Sequence, residues 1–274
     1  MPKVGKEESM MAKFDDLANW FEGKGRVLVA LSGGVDSAVV ACAAKKALDR
    51  NAVAVTADYK TLSDEELESA RKIAKEIGIQ HKIIEYNELE NPEFVKNDEY
   101  RCFHCRNELA AHLLEVAKQQ NAQLIVDGTN ADDLKEFRPG IIALRRNGVR
   151  SPLVELSVTK NEVRQIANQF NLSVFDKPSN ACLASRIPRH VAVTSEKLKT
   201  VEQAERVVKK LFGIKQVRVR DHGEIARIEV DGSERHLMFN ESKLDQLDSE
   251  LKKLGYRFVA IEAGGYKTGS LNGM

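Results

Sequence analysis

Apolar positions in the first half of the chain switch between two periods. Met11, Phe14, Leu17, Ala18 and Phe21 recur at helical spacing, which predicts a leading amphipathic helix over 9–22. Arg26–Leu31 reads as a short buried strand, followed by a Gly-containing turn and a helix over about 35–49. The next unit repeats this logic with a strand at Ala52–Ala57 and a helix capped by Ser63, with Glu66 three residues later. Leu67, Ala70, Ile73, Ala74 and Ile77 share one face of that helix, and Gly78 marks its stop. A strand at Lys82–Tyr86, a helix near 104–119 and a strand at Gln123–Asp127 continue the alternation, and Val163, Ile166, Ala167 and Phe170 mark a helix over about 160–170. Strands alternating with helices predict an α/β fold, a parallel Rossmann-like sheet covered by helices on both faces.

From about residue 192 the order changes. Residues 195–212 have a helical pattern, Gln216–Asp221 and Ile225–Val230 form a predicted hairpin turning at His222-Gly223-Glu224, 240–254 is again helical, and Arg257–Glu262 is a strand. This α-β-β-α-β order predicts a smaller α+β domain over 191–274, after an α/β domain over 1–190.

Charge narrows the partners. The 42 Lys+Arg nearly balance the 41 Asp+Glu, for a formal charge of +1, so no global basic field favours nucleic acid. The apolar runs Val27–Leu31 and Ala38–Ala44 fall short of the ~18 residues a membrane span needs, and Met1–Ser9 is polar, so a cytoplasmic protein without a membrane partner is expected. Four cysteines at irregular spacing do not make a secreted disulfide framework.

The chemistry starts at Ser32-Gly33-Gly34-Val35-Asp36-Ser37, between the first strand and its helix. Two glycines let the backbone approach an anion, and the free N–H groups and dipole of a helix start favour negative charge. With no Gly-Lys-Ser/Thr ending, the loop is not one that grips phosphates with its own lysine. Asp36 offers a ligand for Mg²⁺, and Ser32 and Ser37 offer hydroxyls to phosphate oxygens. The six residues resemble the SGGxDS loop of the N-type ATP pyrophosphatases. That resemblance implies ATP bound through its β and γ phosphates, cleaved between α and β, with AMP transferred to a carboxylate or carbonyl oxygen. Asp127-Gly128-Thr129-Asn130-Ala131-Asp132-Asp133 ends the fourth strand, where ligands of parallel sheets gather, so Gly128, Thr129 and Asp132 join Ser32, Gly33, Gly34, Asp36 and Ser37 as candidate nucleotide-binding residues. An ordinary Asp/Asn-rich turn is the alternative.

Cys102 and Cys105 form a CxxC pair in Arg101–Arg106, opening a helix where the N-terminus and flanking arginines favour thiolates. Cys182 lies in the irregular stretch Pro178–Arg186, and Cys42 looks like a small core residue. Unrelated structural thiols, a catalytic disulfide pair and a three-thiolate metal site all remain open. Zinc usually takes a fourth ligand, for which His104 is poorly spaced, whereas three cysteines on a cubane leave one iron open.

Pro178–Pro188 with its Cys and Ser-Arg, Asp-Gly-Thr-Asn followed by Phe137-Arg138-Pro139-Gly140, Val217-Arg218-Val219-Arg220 with Ala226-Arg227-Ile228-Glu229, and Gly264-Gly265-Tyr266 together resemble the LarE family over nearly the whole chain. The resemblance implies an ATP-dependent sulfur transferase. Such an enzyme adenylates a carboxylate of pyridinium-3,5-biscarboxylic acid mononucleotide, releases pyrophosphate and inserts sulfur to give a thiocarboxylate, on the route to a nickel-pincer cofactor. One branch sacrifices the cysteine matching Cys182. With Cys102 and Cys105 present as well, this chain is similar to the branch whose three cysteines hold a [4Fe–4S] cluster. Carried over by position, Asp36, Cys182, Arg218, Glu205 and Glu229 are the implied catalytic residues, although solvated charge on a helix or strand face also accounts for the last three. Lys267 stands where the family typically has Arg, and lysine lacks the bidentate fork. The implied cofactors are ATP, Mg²⁺ and the cluster; the implied partners are a small pyridinium nucleotide and sulfide or another sulfur donor, with homo-oligomers allowed. A tRNA thiolase with a cluster is the alternative function, and an ammonia-using synthetase subunit a third that leaves the cysteines unexplained.

Overall fold

The computed structural model describes residues 4–135, 137–178 and 181–267, the side chains of 4–9 excepted; Ser179 and Asn180 of the cysteine-bearing motif lie outside the described residues. In chain order the elements are α1 (Val4–Asn19), β1 (Val27–Ala30), α2 (Val35–Leu48), β2 (Ala52–Asp58), α3 (Asp64–Ile77), β3 (Gln80–Glu85), α4 (Pro92–Val95), α5 (Arg101–Gln119), β4 (Leu124–Val126), α6 (Pro139–Arg146), α7 (Pro152–Glu155), α8 (Lys160–Gln169), α9 (Ser195–Phe212), β5 (Val217–His222), β6 (Ile225–Val230), α10 (Glu241–Lys253) and β7 (Phe258–Ile261). Local chemistry explains several boundaries. The Ser63 side chain accepts from the Glu66 N–H and Gly78 closes α3 in the left-handed region. Thr159 and Glu162 form a reciprocal capping box on α8. The sequence pattern misses α4, α6 and α7, each of which starts with proline in its first turn.

Residues Met1–Tyr86 and Cys102–Ser179 form one compact unit, and Asn87–Arg101 with Asn180–Met274 form a second. The first is α/β, as its sequence pattern predicts, with a parallel sheet in the order β3-β2-β1-β4. Successive β1 residues alternate between two cores: Val27 and Val29 pack with α1, α2 and α8, while Leu28 packs with Leu109, Leu113 and Val116 of α5. Both faces of β1 are therefore buried, which is why β1 is a continuous apolar run, whereas the edge strand β3 carries Gln80, His81, Lys82 and Glu85 and is only half-buried.

In the second unit β5 and β6 pair antiparallel, and α10 returns the chain so that β7 runs parallel to β6. Val217 and Val219 point into a core with Ala204, Val208, Leu247 and Leu251 of α9 and α10. Asn97 sews the 87–101 segment to the rest of this unit. Fully buried and at a φ of +56°, it donates through Nδ2 to the carbonyl oxygens of Ile187, Pro188 and Val191 at 3.3, 2.8 and 3.0 Å. Its Oδ1 accepts from Arg101 Nη1 at 2.5 Å, and Arg101 also donates to the Ala184 carbonyl at 2.9 Å. No described helix is long and apolar enough to cross a membrane. Because the loss would orphan buried carbonyls, Asn97→Ala should destabilise the second unit by about 2–4 kcal/mol, read as a lower urea midpoint for that unit's transition.

Candidate active site

The strand order places a topological switch at β1. The chain moves outward from β1 to β2 and β3, then returns to the other side of β1 as β4, so the loops after β1 and β4 flank the crevice in which parallel sheets bind ligands. The loop after β1 is Ser32–Gly34. Gly34 is the N-cap of α2 in extended conformation, with no side chain capping the helix, so the N–H groups of its first turn are open to an anion. Ser37 shapes the turn: its Oγ accepts from the Ser32 N–H, contacts Ser32 Oγ and donates to the Gly34 carbonyl, each at 3.1 Å.

The loop after β4 presses onto this helix start. A Cβ on Gly128 would lie 2.5 Å from the Ser37 nitrogen and 2.8 Å from its Cα, so only glycine permits the approach. Asp127 stiffens the loop by accepting from Ser151 Oγ at 2.7 Å, from Thr129 Oγ1 at 2.6 Å and from the Thr129 N–H at 3.2 Å. Asn130 then reaches Asp36, its Nδ2 donating to Oδ1 at 3.0 Å, while Lys160 Nζ at the start of α8 pairs with Oδ2. The Lys160 N–H donates to Asp132 at 2.8 Å. Asp132 is held below the usual carboxylate range, first by its bond to Lys135 and then by the Lys160 N–H. Burial pushes Asp133 upward, against the Asn130 N–H and the Arg138 charge. The structure thus brings Ser32, Gly33, Gly34, Asp36, Ser37, Gly128, Thr129 and Asp132 to one end of the sheet. Asp36, Asp132 and Asp133, paired with Lys160, Lys135 and Arg138, lie beside an uncapped helix N-terminus that can take an anionic group.

Cys102 and Cys105 lie in the first turn and a half of α5, three residues apart and so on one face, with Cys105 buried. Cys42 packs against the apolar core of α2, where burial pushes its thiol to about 11 despite Lys46. Cys182 belongs to the second unit, at the start of a short 3-10 turn, Leu183–Arg186. Among the described residues no group of three or more His, Cys, Asp or Glu side chains is assembled to hold a metal.

Beside Cys182 the second unit buries an arginine–carboxylate network. Arg186, fully buried, binds Glu205 through both arms, Nε to Oε1 at 2.7 Å and Nη2 to Oε2 at 2.9 Å, and donates Nη1 to the Cys182 carbonyl at 3.1 Å. Burial lowers this guanidinium, but the Glu205 carboxylate, with Cys182 and Tyr266 in electrostatic reach, holds it above its ordinary value. The alternation of β5 puts Arg218 and Arg220 on the face opposite the core. Arg220 grips Glu229 Oε2 at 2.7 and 3.0 Å, and Arg227 takes Oε1 at 3.0 Å. Arg218 lies over the Tyr266 ring at 5.2 Å. Burial, then the neighbouring Arg186 charge, depresses it to about 10. An anion beside Arg218 would relieve both effects. Glu205 and Glu229 are thus buried ion-pair partners, not solvated charges.

Residues 26–98 match the family described as queuosine biosynthesis protein QueC. An uncharacterized Synechocystis protein, slr1717, is 41% identical over 95% of this chain and 97% of its own length. The pyridinium-3,5-bisthiocarboxylic acid mononucleotide synthase of Lactiplantibacillus plantarum is 31% identical over 97% of this chain and 94% of its own. The chain belongs to the LarE family. A more partial relative of this LarE-family protein is the tRNA-specific 2-thiouridylase MnmA of Halothermothrix orenii, 28% identical over 57% of the chain.

Sequence reasoning missed Asn130 and Lys160 as partners of Asp36, Ser151 as the anchor of Asp127, and Arg186 and Arg220 as the ions that bury Glu205 and Glu229. Only the Ser-Arg of the cysteine motif and the alternation of Val217–Arg220 pointed toward them. Gly128→Ala should cost about 1–3 kcal/mol of stability through overpacking. It should also displace the start of α2, seen as faster amide hydrogen exchange at 34–38 with exchange in α5 unchanged.

Proposed function

We propose that this LarE-family protein is an ATP-dependent sulfur transferase acting on pyridinium-3,5-biscarboxylic acid mononucleotide. The observation that carries the reading is the match to the Lactiplantibacillus plantarum synthase across 97% of the chain, which spans both compact units. The tRNA thiolase alternative has only the partial MnmA match behind it. In the reaction a substrate carboxylate oxygen attacks the α-phosphorus of ATP and pyrophosphate leaves. A sulfur nucleophile then attacks the acyl carbon and displaces AMP, leaving a thiocarboxylate. The N–H groups at the start of α2 would receive the β and γ phosphates, Asp36 and Asp132 would serve as ligands for Mg²⁺, and Gly128 and Thr129 would line the nucleotide. In the second unit Arg218, bonded to the Val217 carbonyl and lying over the Tyr266 ring, receives an anionic group of the substrate. Purified protein given ATP, Mg²⁺ and the pyridinium nucleotide should form AMP and pyrophosphate, resolved by anion-exchange chromatography, with no comparable stimulation by tRNA. Asp36→Ala should abolish turnover with an unchanged circular dichroism spectrum, and ADP with phosphate as main products would refute the assignment.

The sulfur source is proposed to involve a [4Fe–4S] cluster held by Cys102, Cys105 and Cys182. Support comes from the donor set: the CxxC pair offers two thiol ligands from one helix face, and Cys182 offers a third beside Arg186. When bound, such a cluster supplies an iron with an open position for sulfide. Cys182 would then act as a ligand and not be consumed. Anaerobically isolated protein should contain iron and sulfide that Cys102→Ala, Cys105→Ala or Cys182→Ala removes and Cys42→Ala does not. After reaction the intact mass should be unchanged and turnover should exceed one per chain; dehydroalanine at 182 with product capped at one would show sacrifice instead.

A further inference from the structure

The phosphate loop contains no lysine, yet a lysine holds it from outside. Gly33 has a φ of +77°, and a Cβ there would lie 2.5 Å from the Glu66 carbonyl oxygen and 3.2 Å from the Ala70 nitrogen. The Gly33 carbonyl oxygen accepts two hydrogen bonds, from Lys177 Nζ at 2.9 Å and from Ser69 Oγ at 3.0 Å. Lys177 also pairs with Glu66 Oε2 at 3.0 Å, and Glu66 is only 8% exposed. The lysine therefore neutralises a buried carboxylate and fastens the loop with the same ammonium.

A trans peptide carries its C=O and N–H on opposite sides. With the Gly33 oxygen fastened toward α3 and Lys177, the Gly34 N–H is turned the other way, at the uncapped start of α2. Glycine on both sides of this peptide leaves it free to flip, and a flipped peptide would present its oxygen to an incoming anion and repel it. We propose that Lys177, acting with Ser69, is a positioning residue: it locks the Gly33–Gly34 peptide in the orientation that offers the Gly34 N–H to the β and γ phosphates of ATP. The inference rests on the ATP reading above and adds how the loop is organised before nucleotide arrives. Lys177 itself touches no phosphate; it acts through the backbone.

The test uses the full chain and compares α,β-methylene ATP with Mg²⁺ against AMP by calorimetry, alongside thermal melts. Lys177→Met should weaken the triphosphate analogue by about tenfold, equivalent to ~1.4 kcal/mol, and leave AMP unchanged. Ser69→Ala, which removes the other donor to the same oxygen, should shift affinity in the same direction, and Lys177→Arg should recover part of it. The double variant Lys177→Met/Glu66→Gln also removes the buried charge that Lys177 neutralised, so it should restore the melting temperature without restoring triphosphate affinity. Recovery of both together would show that Lys177 only neutralises Glu66, and an unchanged affinity in Ser69→Ala would show that the Gly33 carbonyl is immaterial; either overturns the proposal. Wild-type protein that makes ADP from ATP would defeat the pyrophosphatase reading, while the binding comparison would still decide the role of Lys177.

Discussion

At the carboxyl end of the parallel sheet, two backbone segments meet with no room for a β-carbon between them. Gly128 abuts the Ser37 nitrogen on one side of the phosphate loop, and Gly33 abuts the Glu66 carbonyl on the other. The helix start is thereby wedged between the β4 loop and α3, and the rest of the site follows from the wedge. Ser37 is buried and must satisfy its hydroxyl within the loop, so it bonds Ser32 and Gly34. Asp36, one residue earlier, stays partly open and is aimed by Asn130 and Lys160. Steric closeness at two glycines thus sets the position of the one carboxylate the proposed chemistry uses first.

The second unit solves a different problem, that of keeping several ions out of water. Buried charges cost several kcal/mol each in desolvation, and attraction repays this only with close, multiply bonded geometry. Arginine suits the task because its planar fork meets a carboxylate through two bonds, as Arg186 does with Glu205; Glu205 also accepts from the Val219 N–H at 3.0 Å. Such a network adds little net stability over apolar packing. Its physical consequence is a rigid array of guanidinium groups whose field is already in place before any anion arrives.

The regular elements were legible in the sequence because their signals are local. The Ser63–Glu66 cap, the Gly78 stop and the Val-Arg-Val-Arg alternation of β5 each lie within a few residues, and the corresponding elements form. The phosphate loop was legible for the same reason. The site's partners were not. Lys160 and Asn130 reach Asp36 from 124 and 94 positions away, and Lys177 reaches Gly33 from 144. No periodicity connects such pairs, and lysines and asparagines on helix starts and turns are unremarkable one at a time. Glu205 and Glu229 were legible by resemblance, while their burial was not, because a carboxylate reads as surface until its arginine is found.

The chain passes between its two compact units at 86–87, 101–102 and 179–180, and this interleaving bears on how the protein is made. Asn97 finds its acceptor Pro188 only after 91 further residues have been added. At a synthesis rate of ~5–20 residues per second, the 87–101 limb leaves the ribosome on the order of five to twenty seconds before its partner exists. Over that interval the sheet of the first unit can assemble while the Asn97 side chain has only water and Arg101 as partners and none of its carbonyl acceptors. Vectorial synthesis therefore orders the two halves in time: the nucleotide half matures first, and the arginine-rich half closes on a strand of chain that has been waiting for it.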